Sequence, residues 1–152
     1  MEVSKVKILM AEDSEDDVIL FRRALKRVGF ENAQFVQDGQ EVVEYLQGVG
    51  KYADRVAFPF PTWLVLDLKM PRMNGFEVLQ WLRKNPACGV IPIIIFSSSA
   101  LPEDVIRVYA MGGNSYFTKP SQYDKLVVLL ELLIKYWCQA EVPNLPRDHR
   151  CP

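Results

Sequence analysis

Histidine occurs once in the 152 residues, as His149, and cysteine only three times, as Cys88, Cys138 and Cys151. No two cysteines form a CxxC pair and the lone histidine stands in the tail, so the spacing offers no Cys/His metal framework. Thiols this few and this unevenly placed read as free cysteines of a reducing, cytosolic compartment. Net charge is missing as well: 18 Lys and Arg against 19 Asp and Glu leave −1, which gives no global reason to expect nucleic acid or an anionic membrane as partner. Nor does any apolar run reach the roughly 20 residues that span a bilayer. The most apolar helical stretch, Leu126 to Trp137, is interrupted by Glu131 and Lys135. A signal-peptide pattern is absent too, since Met1-Glu2-Val3-Ser4-Lys5 leads directly into a short apolar segment. These absences lead us to expect a cytoplasmic protein.

What is present is an ordinary globular composition, 49% hydrophobic and 24% charged, in a chain long enough to bury one sizeable core. Short apolar runs alternate with segments of helical spacing. Strands are expected at Val6–Ala11, Ala33–Val36, Thr62–Asp67, Ile91–Phe96 and Ser115–Thr118. The first helix opens on Ser14-Glu15-Asp16-Asp17, a capping-box spacing with acids where the helix dipole favours them, and stops at Gly29. Further helices are expected from Asp38-Gly39 to near Gly48, Asn74 to Lys84, Pro102 to Met111, and Gln122 to Cys138. Continuously apolar strands between helices belong to a parallel α/β sheet covered on both faces. Gly50 to Pro61, rich in aromatics and proline, reads as a long loop and a candidate contact surface. Residues 1–140 are expected to make one domain with no output domain after it, and the proline-rich segment 141–152 to be poorly ordered.

In open α/β sheets, ligands bind beyond the carboxyl ends of the strands. Here those ends carry Glu12 and Asp13, Asp67, Ser97, and Lys119. Taken singly, an acid pair after a strand is usually a helix cap, a lysine before proline a solvated loop residue, and Tyr116 plain core. Their convergence on the strand ends gives them weight. Asp67 is the sharpest case, because LVLDLKMPRMNGFEVL, Leu64 to Leu79, aims a carboxylate out of a run of large apolar residues. Burying an unpaired carboxylate is costly. Two carboxylates about 4 Å apart repel by about 4 kcal/mol at an effective dielectric of about 20. A divalent cation is the cheapest relief, and with only oxygen ligands nearby it should be hard, Mg²⁺ above all. Lys119 then supplies a second positive charge and Ser97 a donor around a phosphoryl group carried by Asp67.

At these residues the chain resembles the receiver domain of two-component response regulators, including the single-domain chemotaxis regulator. The resemblance covers about residues 5–138 and rests on Glu12-Asp13, LVLDLKMPRMNGFEVL, the strand IIIFS and YFTKP, in that order. It implies a flavodoxin-like (βα)5 fold, a doubly wound parallel five-stranded sheet in order 2-1-3-4-5. It further implies that Asp67 is the phosphoacceptor, with Mg²⁺ held by Asp13, Asp67 and the backbone carbonyl of Lys69, and Glu12 acting through a metal-bound water. Ser97 would be the switch hydroxyl, where the family more often has threonine, and Lys119 the phosphoryl partner. Tyr116 would be the switch aromatic, Lys119-Pro120 a cis bond, and Lys69 and Ser99 the positions that tune phosphoryl lifetime. The partner implied is a sensor histidine kinase. The loop before the third strand and the short tail are most similar to the subgroup associated with bacterial phytochromes and related sensor kinases.

Three other functions fit parts of the pattern. A phosphorelay intermediate would pass its phosphoryl group on to a histidine phosphotransfer protein. A haloacid-dehalogenase-like phosphatase needs a second aspartate two residues after the nucleophile, where this chain has Lys69. A flavodoxin-like FMN carrier needs a phosphate cradle after the first strand, where Glu12-Asp13 would repel it. The chain is therefore expected to be a signalling switch rather than an enzyme with a separate substrate. In the last helix the apolar residues occupy more than one stripe, which predicts an exposed apolar face for a homodimer or a partner.

Overall fold

Five short strands, β1 (Ile8–Ala11), β2 (Ala33–Val36), β3 (Trp63–Leu66), β4 (Ile93–Ser97) and β5 (Ser115–Thr118), form one sheet in the order β2-β1-β3-β4-β5. Every pairing is parallel. This is the flavodoxin-like topology expected from the sequence. The structure is a computed structural model and describes residues 1–152. Side chains alternate along each strand, so the apolar runs feed two cores. Leu9, Ala11, Leu64, Leu66, Ile93 and Ile95 face one side with α2 (Gly39–Gln47) and α3 (Gly75–Lys84). Ile8, Met10, Trp63, Val65, Ile94 and Phe96 face the other with α1 (Glu15–Arg27) and α5 (Tyr123–Gln139). α4 (Pro102–Ala110) contributes Val108 to the first core.

Local chemistry sets the helix starts around the strand ends. Ser14 caps α1 by accepting from the Asp17 amide at 3.3 Å. Asn74 and Glu77 form a reciprocal capping box at the start of α3, with bonds of 2.9 and 3.1 Å. Gly75 follows because a Cβ there would run into the Asp67 carbonyl oxygen and lie 2.8 Å from Leu68 Cα. The glycine thus lets α3 begin directly behind the Asp67 turn. Pro92 precedes β4 rather than belonging to it, and its carbonyl still accepts from the Leu64 amide at 3.0 Å.

Two expectations are corrected here. The cysteines are not all free: Cys88, in the turn after α3, is disulfide-bonded to Cys151, and only Cys138 is a free thiol. The pair is 63 residues apart in sequence, a separation at which spacing carries no signal. The Lys119-Pro120 bond is trans, since the chain contains no cis peptide; trans is the intrinsically favoured X-Pro isomer, and Lys119 reaches its partners from it.

The tail has no regular element, yet residues 145–151 pack against the body of the protein, more than their proline content suggested. Leu145 joins the first core, the Phe60 amide donates to Arg147 O at 2.8 Å, and the Cys151 amide donates to Leu46 O at 3.0 Å. Under the tail lies the Gly50–Pro61 loop, whose aromatics point inward: Tyr52 and Phe60 are buried, Phe58 meets Tyr45 and Tyr52 edge to face, and the Tyr45 and Tyr52 rings pack tilted against each other. The Arg55 guanidinium, also buried, donates to Leu46 O and Phe58 O at 2.9 and 3.1 Å and so caps the carbonyl end of α2. On α5 the second apolar stripe is real. Val128, Leu132 and Tyr136, spaced four apart, are 56%, 59% and 64% exposed. No helix is long and apolar enough to cross a membrane.

Candidate functional site

Four of the five strands end in charged or hydroxyl residues at the same edge of the sheet. Glu12 and Asp13 follow β1, Asp67 follows β3, Ser97 closes β4, and Lys119 follows β5. The sheet order puts β1 and β3 side by side, so the acid pair and Asp67 meet at the centre. Carboxylate oxygens of Glu12, Asp13 and Asp67 lie within 4.8 Å of one another. Glu12 and Asp67 are buried, and Asp13 is exposed.

Lys119 crosses from β5 to hold this cluster together. Its Nζ stands 2.6 Å from Glu12 Oε2, 3.0 Å from Asp67 Oδ2 and 3.0 Å from Asp17 Oδ2. Burial on its own would depress the ammonium pKa, but the contacts to Glu12, Asp67 and Asp17 outweigh it and raise the group above its ordinary range. Burial pushes the Glu12 carboxyl up to about 7; the Lys119 contact holds it back and the Asp67 charge adds to the rise. Glu12 Oε2 meets Lys119 as a close ion pair without hydrogen-bond alignment and has no other partner. A second donor or a cation is thus still wanted at that oxygen, and the all-oxygen set of Glu12, Asp13 and Asp67 suits a hard divalent ion.

The hydroxyl side of the site is arranged separately. Ser97 is fully buried; its Oγ accepts from the Ser99 amide at 3.2 Å and makes no hydrogen bond to the carboxylates. Its backbone carbonyl accepts from the Lys119 amide at 2.8 Å, which fixes the two strand ends to each other. Ser99 Oγ donates to Asp104 Oδ2 at 2.6 Å and accepts from the Leu101 amide at 3.3 Å, so it organises the start of α4. The half-buried Tyr116 hydroxyl donates to Ser99 O at 2.8 Å, pinning the β4–α4 loop to β5. Lys69 is exposed, and its amide reaches back to Asp67 Oδ1 at 3.4 Å. An open cleft of about 540 Å³, lined by Asp13, Lys69, Met70, Asn74, Ser99 and Asp104 among others, leads to this edge. A larger groove, about 1130 Å³, lies between the first residues and the tail and contains none of the clustered carboxylates.

The structure therefore gathers Glu12, Asp13, Asp67 and Lys119 into one cluster, and links Ser97 of β4, Ser99 of the following loop and Tyr116 of β5 in an adjoining hydrogen-bonded network. Sequence reasoning missed Asp17, which it assigned to helix capping alone. The available signal was its place in the first turn of a helix that starts directly behind the acid pair. It also missed Asp104, the partner of Ser99.

Comparison with known proteins identifies the family. The model of the response regulator receiver domain matches residues 8–131. Response regulator Rcp1 of Synechocystis sp. is 30% identical over 134 residues, covering 88% of this chain and 89% of Rcp1. The crystal structure of its Mn(2+)-bound form superposes with a TM-score of 0.80 at 29% identity, over 91% of this chain and 99% of that one. A response regulator in red light signaling of R. palustris gives a TM-score of 0.87 at 29% identity, covering 92% of this chain and 99% of that one. The phosphorylated cyanobacterial phytochrome response regulator RcpA gives 0.81 at 30%, over 91% and 99%. With the family model matched over residues 8–131 and a 30% identical relative covered nearly end to end, on a five-stranded sheet of order β2-β1-β3-β4-β5, the chain belongs to the response regulator receiver domain family.

Proposed function

We propose that Asp67 accepts a phosphoryl group from a sensor histidine kinase, and that the change this causes at Ser97 and Tyr116 alters partner binding or self-association. The observation that carries this reading is the single ammonium, Lys119, bonded to Asp67 at the open edge of the sheet. In the transfer, an Asp67 carboxylate oxygen takes the phosphorus as the bond to the donor nitrogen breaks, and Lys119 stabilises charge on the transferred oxygens. A phosphoryl group adds about 1.5 to 2 negative charges. Neutralising it draws Lys119 from Glu12 and Asp17, and draws the Ser97 hydroxyl from its present bond to the Ser99 amide. Tyr116 is tied to that same Ser99 through its carbonyl, so movement of Ser97 reaches the α4–β5 surface. Lys69 and Ser99 flank the phosphoryl position and are the residues we assign to control of its lifetime.

Glu12, Asp13 and Asp67, with the Lys69 backbone carbonyl, are the groups that would hold Mg²⁺, which supplies charge neutralisation for the incoming phosphoryl oxygens. Glu12 gives this a pH dependence with a definite sign. Its raised pKa, about 7, means that a proton competes for the carboxyl below neutrality. Mg²⁺ affinity is expected to fall as the pH drops below about 7, by up to about tenfold per unit. Titration calorimetry from about pH 8 to about pH 6 checks this, and Glu12→Gln should flatten the profile.

The kinase we propose is of the phytochrome type, supported by the phytochrome response regulators among the similar structures. Relay to a downstream histidine protein is the second reading; the exposed cleft beside Asp67 would serve either partner. Lys69 at the position of the phosphatase general acid argues against turnover of a separate phosphoester. The primary test is uptake of one phosphoryl group by the purified protein, with Asp67→Asn as the discriminating variant.

The exposed α5 stripe supports a homodimer gated by phosphorylation. In light scattering with Mg²⁺ and beryllofluoride, a mimic of the aspartyl phosphate, we expect the mass to rise toward a dimer and Leu132→Glu to prevent it. A dimer that survives Leu132→Glu places the contact elsewhere.

A further inference from the structure

We infer that the Cys88–Cys151 bond is a thiol–disulfide exchange site that latches the C-terminal tail, with the His149 Nε2–H as the donor beside its leaving sulfur and a vicinal dithiol as its reductant class. Three observations at the end of the molecule away from Asp67 carry this. The bond joins the turn after α3 to a segment without regular structure. Apart from it, residues 146–152 are held chiefly by backbone-directed contacts: Arg150 to Gly48 O and Ala53 O at 2.8 and 2.9 Å, Arg147 to Val56 O at 3.2 Å, and Cys151 N to Leu46 O. The Arg147–Val56 and Arg150–Ala53 contacts lie at the surface, where water replaces them at small cost. The disulfide is the one covalent hold on the tail, alongside the packing of Leu145 and His149 and the Cys151 amide bond to Leu46.

His149 makes the site chemically distinctive. Its Nε2 lies 4.0 Å from Cys88 Sγ and 3.2 Å from the Ala87 carbonyl, and its ring is held edge-on against Phe60 with centroids 4.7 Å apart. A carbonyl only accepts, so Nε2 bears the hydrogen, and that N–H stands beside the sulfur that leaves when the bond is opened. A thiolate beside such a donor is stabilised as a leaving group.

The reaction balances as follows. One thiolate of the dithiol attacks Cys151 Sγ, the Cys88–Cys151 bond breaks, and Cys88 leaves as a thiolate beside the His149 Nε2–H, to be protonated from solvent. The second thiolate of the reductant displaces Cys151, and the reductant departs as a disulfide. Two electrons pass to the protein pair, and the two protons the dithiol gave up to solvent are taken back from solvent by Cys88 and Cys151. Reduction then frees the tail from Leu46 and from the aromatic loop it covers.

The test uses the full chain carrying Cys138→Ser, so that only the paired thiols report. Alkylation under native conditions should label no cysteine before dithiothreitol and both Cys88 and Cys151 after it. Amide hydrogen exchange in residues 145–151 should then accelerate by at least about tenfold. Cys88→Ser should show the fast tail with or without reductant, and His149→Phe, which keeps the ring packing but removes the N–H, should keep the bond but slow its reduction at constant pH. The proposal is overturned by a bond that native dithiothreitol does not open, or by tail exchange that is the same in both states. It is equally overturned if the purified protein carries one thiophilic metal ion on these residues in place of the bond.

Discussion

Asp67→Asn is expected to abolish phosphoryl uptake from both a sensor kinase and a small phosphodonor such as acetyl phosphate, while the protein stays folded. The substitution keeps the shape of the side chain and replaces an anionic nucleophile with an amide, whose nitrogen and oxygen do not attack phosphorus under these conditions. Its structural cost should be small. Lys119 keeps Glu12 at 2.6 Å and Asp17 at 3.0 Å as partners, and the cluster loses one of its mutually repelling charges. The unfolding free energy should therefore change by about 1 kcal/mol or less, as for an isosteric change that leaves its neighbours paired. Intact-mass measurement after incubation with donor and Mg²⁺ reads the first expectation, and urea denaturation the second. Labelling that persists would move the acceptor to Glu12 or Asp13. Loss of labelling together with loss of the fold would leave Asp67 a structural residue.

Much of this arrangement is legible in the sequence, because the physics is local. Continuously apolar runs of four to six residues ending in a carboxylate, a hydroxyl or an amine mark buried parallel strands and the edge where they open to solvent. The Asn74-Gly75 pair marks a helix start pressed against a strand end, and the structure shows the two reasons: the capping box and the collision any Cβ at Gly75 would make with Asp67 O. Residues whose role depends on distant partners were not legible. Cys88 and Cys151 pair across 63 residues, and the tail that brings them together has composition but no periodicity to announce its path. The aromatics of residues 50–61 looked like a contact surface because nothing local says that the chain's own tail covers them. Asp17 obeys the rule for the first turn of a helix and binds Lys119 as well, and the simpler role hid the second. The trans Lys119-Pro120 bond is of the same kind: the motif implied an isomer that the backbone here does not adopt.

Lys119→Met should be the most destabilising single charge removal in the chain, provided divalent ions are absent. The side chain is 15% exposed and is the only cation in contact with Glu12, Asp17 and Asp67, two of which are buried. Taking one partner from a buried ion cluster leaves uncompensated charge, a loss of about 3–5 kcal/mol. The exposed pairs Lys135–Glu131 and Arg27–Asp124 lie in high dielectric, and their removal should cost less than about 1 kcal/mol. The pH dependence follows from the directions of the shifts. A lysine with a raised folded pKa stabilises fully below its unfolded value and loses this only as pH rises through the folded one, so the native chain loses nothing from Lys119 near neutrality. Glu12 is raised as well, so its ionisation costs stability as pH climbs from about 4.5 through about 7. Without Lys119 that cost grows. The variant should be weakest above about pH 7 and recover toward about pH 5 as Glu12 protonates. Mg²⁺ should restore the variant more than it stabilises the native protein, because in the variant a cation relieves repulsion that Lys119 already relieves in the native one. Urea denaturation with EDTA and with Mg²⁺ at both pH values measures all of this. Equal Mg²⁺ stabilisation of the two proteins would show that the ammonium and the metal ion do not share the carboxylates.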